Sequence, residues 1–385
     1  MSVTAAGGFR AAGVAAGIKA SGGLDLALVI NDGPVAAAAG VLTRNQVKAA
    51  PVLWSAQVLT ERRLRAVVLN AGGANACTGP GGFQDTHATA DRVATVLGCG
   101  AIEVAVCSTG LIGERLPLDA VLSGVDKAAA ELAATPEAGL AAATAVLTTD
   151  TVAKQAAVTG AGWTVGGFAK GAGMIAPSLA TMLCVLTTDA AVDESTLDAV
   201  LRSATAQTFE CLDIDGTCST NDTVLLLASG ISGTTPDRTE FTTAVHQVCH
   251  ELVRSLQADA EGVTKEISIT VRGAARQDDA LTAARAIARD SLVKAAFFGS
   301  DPNWGRIAAA VGASPATVRA DTLDIRINGV LLCKGGARAA DRSTANLAGR
   351  EIAVEVDLHL GAGQATVLTT DLSHAYVEEN SAYSS

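Results

Sequence analysis

The apolar positions of this chain form short continuous runs that alternate with stretches of helical spacing. Continuous runs at residues 65–70, 102–107 and 182–186 predict buried strands. Helical periodicity predicts five helices, at residues 85–97, 118–134, 195–208, 239–258 and 278–297. Further strands are predicted at residues 223–227, 265–271, 323–327, 351–358 and 365–370. The alternation indicates an α/β or α+β sandwich, with sheets and helices in two or more layers.

Turn residues suggest how some of these elements are connected. Asn31-Asp-Gly-Pro34 joins two apolar stretches, residues 24–31 and 34–43, which predicts a β-hairpin. The strand at residues 102–107 runs into Ser108-Thr109-Gly110, where a turn could offer consecutive backbone N–H groups to an anion or an oxyanion. A structural turn is the alternative. We also expect a strand around Val146, before Thr148-Thr-Asp-Thr151.

The stretch from Lys170 to Asp189 stands near the middle of the chain and combines features that suit a nucleophile. Lys170 precedes a Gly-Ala-Gly run, and Pro177 then interrupts regular structure. Ala180-Thr181 follows, directly before the apolar run at residues 182–186. A threonine hydroxyl at the edge of a rigid strand can be held still for attack. The alternative is that Ala180 and Thr181 are ordinary residues at the start of a strand.

Composition and charge narrow the classes of function. The net charge is −11 and the pI about 4.9, which argues against nucleic acid or an anionic membrane as a partner. No run approaches the roughly 18 apolar residues of a membrane span, and the N-terminus lacks a signal-peptide pattern, so we expect a cytoplasmic protein. The eight cysteines are scattered without a Cys-x-x-Cys motif, and His246 and His250 lack a metalloprotease glutamate. We therefore expect buried free thiols and no metal site.

Several motifs along the whole chain resemble one family in the right order. They are Asn70-Ala-Gly-Gly-Ala-Asn75, Ser108-Thr-Gly110, Thr148-Thr-Asp-Thr151, Lys170-Gly-Ala-Gly-Met-Ile-Ala-Pro177 with Ala180-Thr-Met-Leu183, Asp213-Ile-Asp-Gly216, Ser219-Thr-Asn-Asp222, Gly299-Ser-Asp-Pro-Asn-Trp-Gly-Arg306 and Tyr376-Val-Glu-Glu-Asn-Ser-Ala-Tyr383. This set resembles the ornithine acetyltransferases, the glutamate N-acetyltransferases of arginine biosynthesis. Members of that family are made as one chain and cut themselves before a threonine.

The resemblance implies a self-processing N-terminal-threonine enzyme. The cut would fall between Ala180 and Thr181, giving an α chain of residues 1–180 and a β chain of residues 181–385. Thr181 would be the nucleophile, and its new α-amine, with an ordinary pKa of about 7.7–8.0, would be the base. The family's oxyanion donors match Thr109 and Gly110. A ping-pong reaction would carry acetyl from N2-acetylornithine to glutamate through acetyl-Thr181.

Family substrate contacts match six positions of the chain: Thr148, Lys170, Thr181, Glu261, Asn380 and Ser385. Lys170 suits a substrate α-carboxylate, and Glu261 suits either the substrate's amine side or the new amine of Thr181. Asn380 and Ser385 lie in a tail that the sequence alone would leave disordered, so their family role implies that the tail folds back into a pocket. No cofactor is implied. The α and β chains would assemble as a heterotetramer or larger.

Two other readings stay open at this point. A hydrolase of the self-processing aminopeptidase or amidase kind would use the same catalytic parts and differ in its exclusion of water. An uncleaved, non-catalytic binding protein for acidic or cationic amino acids is the second. The resemblance also leaves open whether acetyl-CoA is a donor, and whether the chain serves the primary arginine pathway or a secondary-metabolite cluster.

Overall fold

The computed structural model describes residues 2–176 and 182–382, and the chain divides into two compact units. Unit 1 comprises Met1–Glu210 with Thr217–Leu256, and unit 2 comprises Cys211–Gly216 with Gln257–Ser384. Both units mix strands and helices, which confirms the predicted α/β class. The bond between residues 180 and 181 lies within the span of unit 1. The predicted α and β chains therefore do not coincide with the two units.

The described residues of unit 1 hold nine strands: β1 (Phe9–Val14), β2 (Leu26–Asn31), β3 (Ala37–Leu42), β4 (Ala66–Gly73), β5 (Val104–Leu111), β6 (Lys154–Thr159), β7 (Thr164–Lys170), β8 (Leu183–Thr188) and β9 (Thr223–Ala228). The helices that begin in unit 1 are α1 (Ala50–Val58), α2 (Gly79–Leu97), α3 (Leu118–Glu131), α4 (Pro136–Ala145), α5 (Glu194–Gln207) and α6 (Arg238–Ala258).

Two sheets organise unit 1. The first sheet has the order β1-β2-β4-β5, and the second has the order β3-β9-β8-β7-β6. Within them β4 and β5 are parallel, as are β8 and β9, while the other neighbours are antiparallel. Strands of both sheets bury their apolar side chains in one core, which includes Leu28, Val67, Val185 and Leu225. This shared core explains why β2, β8 and β9 are apolar on both faces.

The predicted hairpin across Asn31-Asp-Gly-Pro34 is wrong. β2 pairs with β1 and β4 in the first sheet, whereas β3 pairs with β9 in the second. Asn31 Nδ2 donates to the carbonyl oxygens of Val35 and Ala228. These two hydrogen bonds fix the segment in which the chain passes from the first sheet to the second. Because both strands are apolar throughout, their pattern holds no information about which neighbour each one pairs with.

Two other expectations from the pattern are also wrong. Residue Val146 follows helix α4 rather than lying in a strand, and Thr135 caps that helix by accepting the N–H of Ala138. The predicted helix at residues 278–297 is divided at Asp290, which has an extended backbone and accepts the N–H of Val293 at 2.9 Å. In both places a capping side chain determines where a helix begins. The spacing of apolar residues gives no information about such a cap.

The described residues of unit 2 hold six strands and four helices: β10 (Glu266–Ala274), α7 (Gln277–Arg289), α8 (Ser291–Phe298), α9 (Trp304–Ala313), β11 (Asp324–Ile327), β12 (Val330–Lys334), β13 (Ala337–Arg338), β14 (Glu351–Asp357), β15 (Gly363–Thr370) and α10 (His374–Ala382). The six strands form one sheet of order β13-β12-β11-β14-β10-β15. Alternate residues of β10 and β14, such as Ile269 and Val354, enter a core shared with α7 and α9. No helix in the described ranges is long and apolar enough to cross a membrane.

Candidate active site

The side chain of Lys170 is the centre of a polar cluster in unit 1. It ends β7, a strand buried at six of its seven positions, and is itself only 1% exposed. Its Nζ donates to Thr148 Oγ1 at 2.7 Å and lies 3.4 Å from Thr109 Oγ1. Three residues predicted as substrate contacts or oxyanion donors thus meet at one buried ammonium group.

Asp150 supplies the negative charge that this ammonium group requires. Its Oδ2 lies 3.5 Å from Lys170 Nζ, and its Oδ1 accepts hydrogen bonds from Lys154 Nζ at 2.7 Å and from the N–H of Gly171 at 2.6 Å. Burial alone would raise the pKa of the Asp150 carboxyl, but the charges of Lys170 and Lys154, with these hydrogen bonds, lower it below its usual value. Asp150 is therefore ionised at neutral pH, and it fixes the position of the Lys170 side chain.

Thr109 and Gly110 lie inside a strand, not in the predicted turn. They belong to β5, where Thr109 pairs with Ala71 and Gly73, so the register of β4 and β5 shifts at the glycines. Gly110 has a φ of +124°, and a Cβ on it would stand 2.7 Å from the Gly72 carbonyl carbon. The irregular ladder takes the place of the turn, because only glycine permits such close approach of the two strands.

Hydrogen bonds hold this irregular ladder in place. Ser108 Oγ donates to Asn70 Oδ1 at 2.6 Å. Asn221 Nδ2 donates to the carbonyl oxygens of Ala74 at 2.6 Å and Ser108 at 2.8 Å. All of these side chains are buried. The Asn-Ala-Gly-Gly, Ser-Thr-Gly and Ser-Thr-Asn-Asp motifs therefore form one framework around Thr109 and Gly110. Their oxyanion role stays a prediction.

Met182, the residue after the predicted nucleophile, borders this framework. Ala180 and Thr181 lie outside the described residues. Met182 begins the described chain again, and its carbonyl oxygen accepts the N–H of Thr223 at 2.9 Å. Its own N–H donates to Asp222 Oδ1 at 3.2 Å. The β chain would thus start beside Asp222, a residue that sequence reasoning included in a motif but to which it gave no role.

In unit 2 the tail folds onto Glu261 as a helix. Asn380, in α10, donates from Nδ2 to Glu261 Oε2 at 2.8 Å, and Glu261 is only 7% exposed. Ser373 Oγ donates to the Gly262 carbonyl oxygen at 2.5 Å. Gly262 has a φ of +60°, and a Cβ there would approach the Tyr376 nitrogen to 2.1 Å. Two predicted contact residues are therefore paired within unit 2. Ser385 lies outside the described residues.

The cysteines and histidines form no comparable cluster in the part of the chain that the structure describes. The eight cysteines are free; Cys107, Cys184, Cys249 and Cys333 are buried, but Cys77 is exposed, so the expectation of burial is wrong there. The His246 and His250 rings stack 6.3 Å apart on α6. Among the described residues, no group of three His, Cys, Asp or Glu side chains could hold a metal ion.

The model of the ArgJ family matches residues 10–385 of this chain. The chain belongs to the ArgJ family. The arginine biosynthesis bifunctional protein ArgJ of Mycolicibacterium paratuberculosis is 64% identical over all of this chain and 96% of its own length. The protein of the same name from Streptomyces coelicolor is 57% identical, with complete coverage of both chains.

A solved structure of ornithine acetyltransferase in complex with ornithine, from Mycobacterium tuberculosis, also matches. It is 66% identical over 46% of this chain and 94% of that chain, with a TM-score of 0.45. Membership of the ArgJ family confirms the resemblance on which the site was predicted. The individual residue roles stay predictions.

Proposed function

We propose that this ArgJ-family protein transfers an acetyl group from N2-acetylornithine to glutamate, releasing ornithine and forming N-acetylglutamate. The family and the names of the relatives support an acetyltransferase of arginine biosynthesis. The observation that carries the proposal is the Lys170 ammonium group, buried and 2.7 Å from Thr148 Oγ1 and 3.4 Å from Thr109 Oγ1. A buried cation beside hydroxyl groups suits the carboxylate that both amino-acid substrates carry.

The enzyme first has to cut itself. Thr181 Oγ attacks the carbonyl carbon of Ala180, the peptide C–N bond breaks, and the hydroxyl proton ends on the released nitrogen. Water then hydrolyses the resulting ester and restores the hydroxyl group. The new α-amine has an ordinary pKa of about 7.7–8.0, so it can act as a base close to neutral pH. No histidine is required next to the nucleophile.

Acetyl transfer then proceeds in two halves. Thr181 Oγ attacks the acetyl carbonyl of acetylornithine while its proton passes to the α-amine, and ornithine leaves with that proton. The amine of glutamate next attacks the acetyl-threonine ester and regenerates the hydroxyl group. Each tetrahedral oxyanion requires donors, which we assign to Thr109 and Gly110. One such donor is typically worth about 2.7–4 kcal/mol at the barrier.

Mass spectrometry and product analysis test the proposal together. The purified wild type should show two fragments that divide at residues 180 and 181, whereas Thr181→Ala should remain a single 38.5 kDa species without activity. Ornithine release from acetylornithine should depend on glutamate and match the N-acetylglutamate formed. Accumulation of free acetate without glutamate would identify a hydrolase instead. An uncleaved wild type without turnover would identify the non-catalytic alternative.

The acetyl donor and the assembly belong to the same proposal. Acetylornithine should support turnover without an added cofactor, and a separate reaction with acetyl-CoA and glutamate shows whether the first pathway step is also catalysed. We propose that cleaved α and β chains pair further as a heterotetramer in the cytoplasm. Light scattering on the purified enzyme measures that mass directly, and a mass of one α chain plus one β chain would contradict it.

A further inference from the structure

A second lysine, Lys19, lies in the loop between β1 and β2, and the proposed chemistry gives it no role. The loop is held by Asp25, a carboxylate that is 0% exposed. Asp25 accepts four successive backbone N–H groups, those of Ala16 at 2.6 Å, Gly17 at 3.1 Å, Ile18 at 2.6 Å and Lys19 at 2.9 Å. Because these hydrogen bonds are charge-assisted, they fix the backbone from which the Lys19 side chain extends.

The same loop lies against the strands that carry Thr109 and Gly110. The carbonyl oxygen of Asp25 accepts the N–H of Ala71 at 2.9 Å, and Ala71 pairs with Thr109 in the ladder of β4 and β5. At the next residue of β4, a Cβ on Gly72 would stand 3.1 Å from Ile18 Cγ2 and 3.3 Å from the Ile18 carbonyl oxygen. The residue before Lys19 thus packs directly on the irregular ladder.

The side chain of Lys19 joins this loop to the end of the helix that leads into Thr148. Its Nζ donates to the Leu24 carbonyl oxygen at 2.8 Å and to that of Ala145, the last residue of α4, at 3.4 Å. Ala145 precedes Thr148 by three residues, and Thr148 Oγ1 accepts a hydrogen bond from Lys170 Nζ at 2.7 Å. Lys19 and Lys170 therefore reach the same short segment, residues 145–148, from two different elements.

The charge of Lys19 is not matched by an ion pair. Both partners of its Nζ are carbonyl oxygens, so no carboxylate in the described part of the chain forms a salt bridge with it. Burial lowers the pKa of Lys19 and the charge of Lys170 lowers it further, against the opposing charges of Asp25 and Asp150. Asp150 is already shared by Lys154 and Lys170. These three lysines and two aspartates carry one positive charge in excess, which attracts an anionic ligand.

We propose that Lys19 binds the side-chain carboxylate of the acceptor glutamate, near Lys170, which takes the carboxylate that both substrates share. This inference rests on the proposed function. The two substrates differ in charge at the end of the side chain, where N2-acetylornithine has an ammonium group and glutamate has a carboxylate. A lysine at this position attracts the acceptor and repels the donor's side chain, so Lys19 determines which amino acid receives the acetyl group.

A ping-pong reaction separates this role from a structural one. The kcat/KM for acetylornithine reports the half-reaction that forms the acetyl-enzyme, and the kcat/KM for glutamate reports the half-reaction that consumes it. A lysine that only holds the loop on the ladder would affect both values, because Thr109 and Gly110 are predicted to serve both half-reactions. A lysine that binds the glutamate side chain would affect the second value alone.

The test compares Lys19→Met with Lys127→Met, a control that removes the same charge at an exposed position of α3. On cleaved protein we expect Lys19→Met to lose about tenfold or more in kcat/KM for glutamate and to stay within about twofold for acetylornithine. Lys127→Met should keep both values. Glutamine, which has the size of glutamate but no side-chain charge, is the second acceptor. The preference of the wild type for glutamate over glutamine should shrink in Lys19→Met. Equal losses in both half-reactions, or an unchanged preference, would overturn the inference.

A further variant decides the question if Lys19→Met does not fold or is not cut. Lys19→Gln keeps N–H donors for the carbonyl oxygens of Leu24 and Ala145 but has no charge, so it should show the same selective loss. The wild type also gives a result of its own, since equal use of glutamate and glutamine would contradict the inference without any variant. Failure of the wild type to transfer acetyl to glutamate would refute the proposed function. Normal transfer with an unchanged preference in the Lys19 variants would refute only the role of Lys19.

Discussion

At the scale of single residues, Lys170 and Lys154 share the carboxylate of Asp150 but contact different neighbours. Lys154 Nζ also donates to the Val152 carbonyl oxygen at 3.3 Å, whereas Lys170 Nζ contacts Thr148 and Thr109. Replacing either lysine by methionine should lower the free energy of unfolding. The loss should be smaller than the ~3–5 kcal/mol that a fully unpaired buried charge costs, because one cation remains beside Asp150.

The two variants should differ in activity. If Lys170 binds a substrate carboxylate, Lys170→Met loses at least a hundredfold in kcat/KM, whereas Lys154→Met loses less than tenfold. Both are measured on cleaved protein at a temperature below both unfolding transitions. Equal losses in the two variants would show that Lys170 acts only through the charge of Asp150, and its assignment as a substrate contact would then be wrong.

Lys294 in unit 2 gives a prediction about stability and pH. Its Nζ donates to the Ile214 carbonyl oxygen at 2.7 Å, and burial lowers its pKa from 10.5 to about 8, against the opposing charges of Asp213, Asp215 and Asp371. Between pH 8 and 10.5 the unfolded chain binds the proton that the folded protein has lost. Stability from this group therefore rises with pH across that window.

Urea unfolding of the wild type and of Lys294→Met at several pH values checks this. The difference in unfolding free energy between the two proteins should move in favour of the wild type by about 1.4 kcal/mol per pKa unit as the pH passes from 8 towards 10.5. Other titrating groups cancel in this comparison. A difference that stays constant with pH would show that Lys294 remains charged in the folded protein.

At the scale of elements, the chain's apolar runs predict which residues form strands but not which strands are neighbours. The run at residues 182–186 lies largely within β8, and the predicted helix at residues 195–208 is α5, which Asp193 caps by accepting the N–H groups of Ser195 and Thr196. The predicted hairpin fails because β2 and β3 are both buried on nearly every residue. Pairing between sheets depends on contacts distant in sequence, such as Asn31 with Ala228.

Only part of the candidate site could be predicted from the sequence, because its other members meet through contacts that are distant along the chain. The motifs led to Thr109, Thr148 and Lys170, which the structure brings together at one ammonium group. Asp150 belongs to the Thr-Thr-Asp-Thr motif, but the sequence predicts no role for it. Its role depends on hydrogen bonds from Lys154 and Gly171, which form only in the folded chain. Contacts of this kind leave no periodic signal in a single sequence.

The irregular ladder of β4 and β5 makes a prediction about glycine. Gly110→Ala would place a Cβ 2.7 Å from backbone atoms of Gly72 and Gly73, at a φ of +124°. Gly113 is a matched control, because its φ is +96° but a Cβ there meets nothing within 4 Å. We expect Gly110→Ala to lose most acetyl transfer and several degrees of melting temperature.

Gly113→Ala should lose only the cost of a strained backbone, about 1–2 kcal/mol, and retain turnover. Calorimetry and the coupled acetylornithine–glutamate assay measure the two effects separately. If both alanine variants behave alike, the close approach of β4 and β5 has no importance for Thr109 and Gly110, and the oxyanion assignment loses its structural basis.

At the scale of the whole molecule, the predicted cut would leave the α and β chains interleaved. In the second sheet, β3, β7 and β6 come from residues before the cut, and β9 and β8 from residues after it. β7 and β8 are joined by six registered pairs, from Val165 with Thr188 to Lys170 with Leu183. The cut lies in the connection beyond that last pair, so every ladder hydrogen bond survives it.

We therefore predict that the cleaved chains stay together under native conditions and separate only when unit 1 unfolds. Native mass spectrometry should show no free α or β chain at micromolar concentration, while denaturing conditions should release both. After urea is removed, separated chains should reassemble far less completely than uncut Thr181→Ala refolds, because closing the second sheet then becomes a bimolecular step with an entropic cost. Free α chain under native conditions would contradict the interleaved sheet.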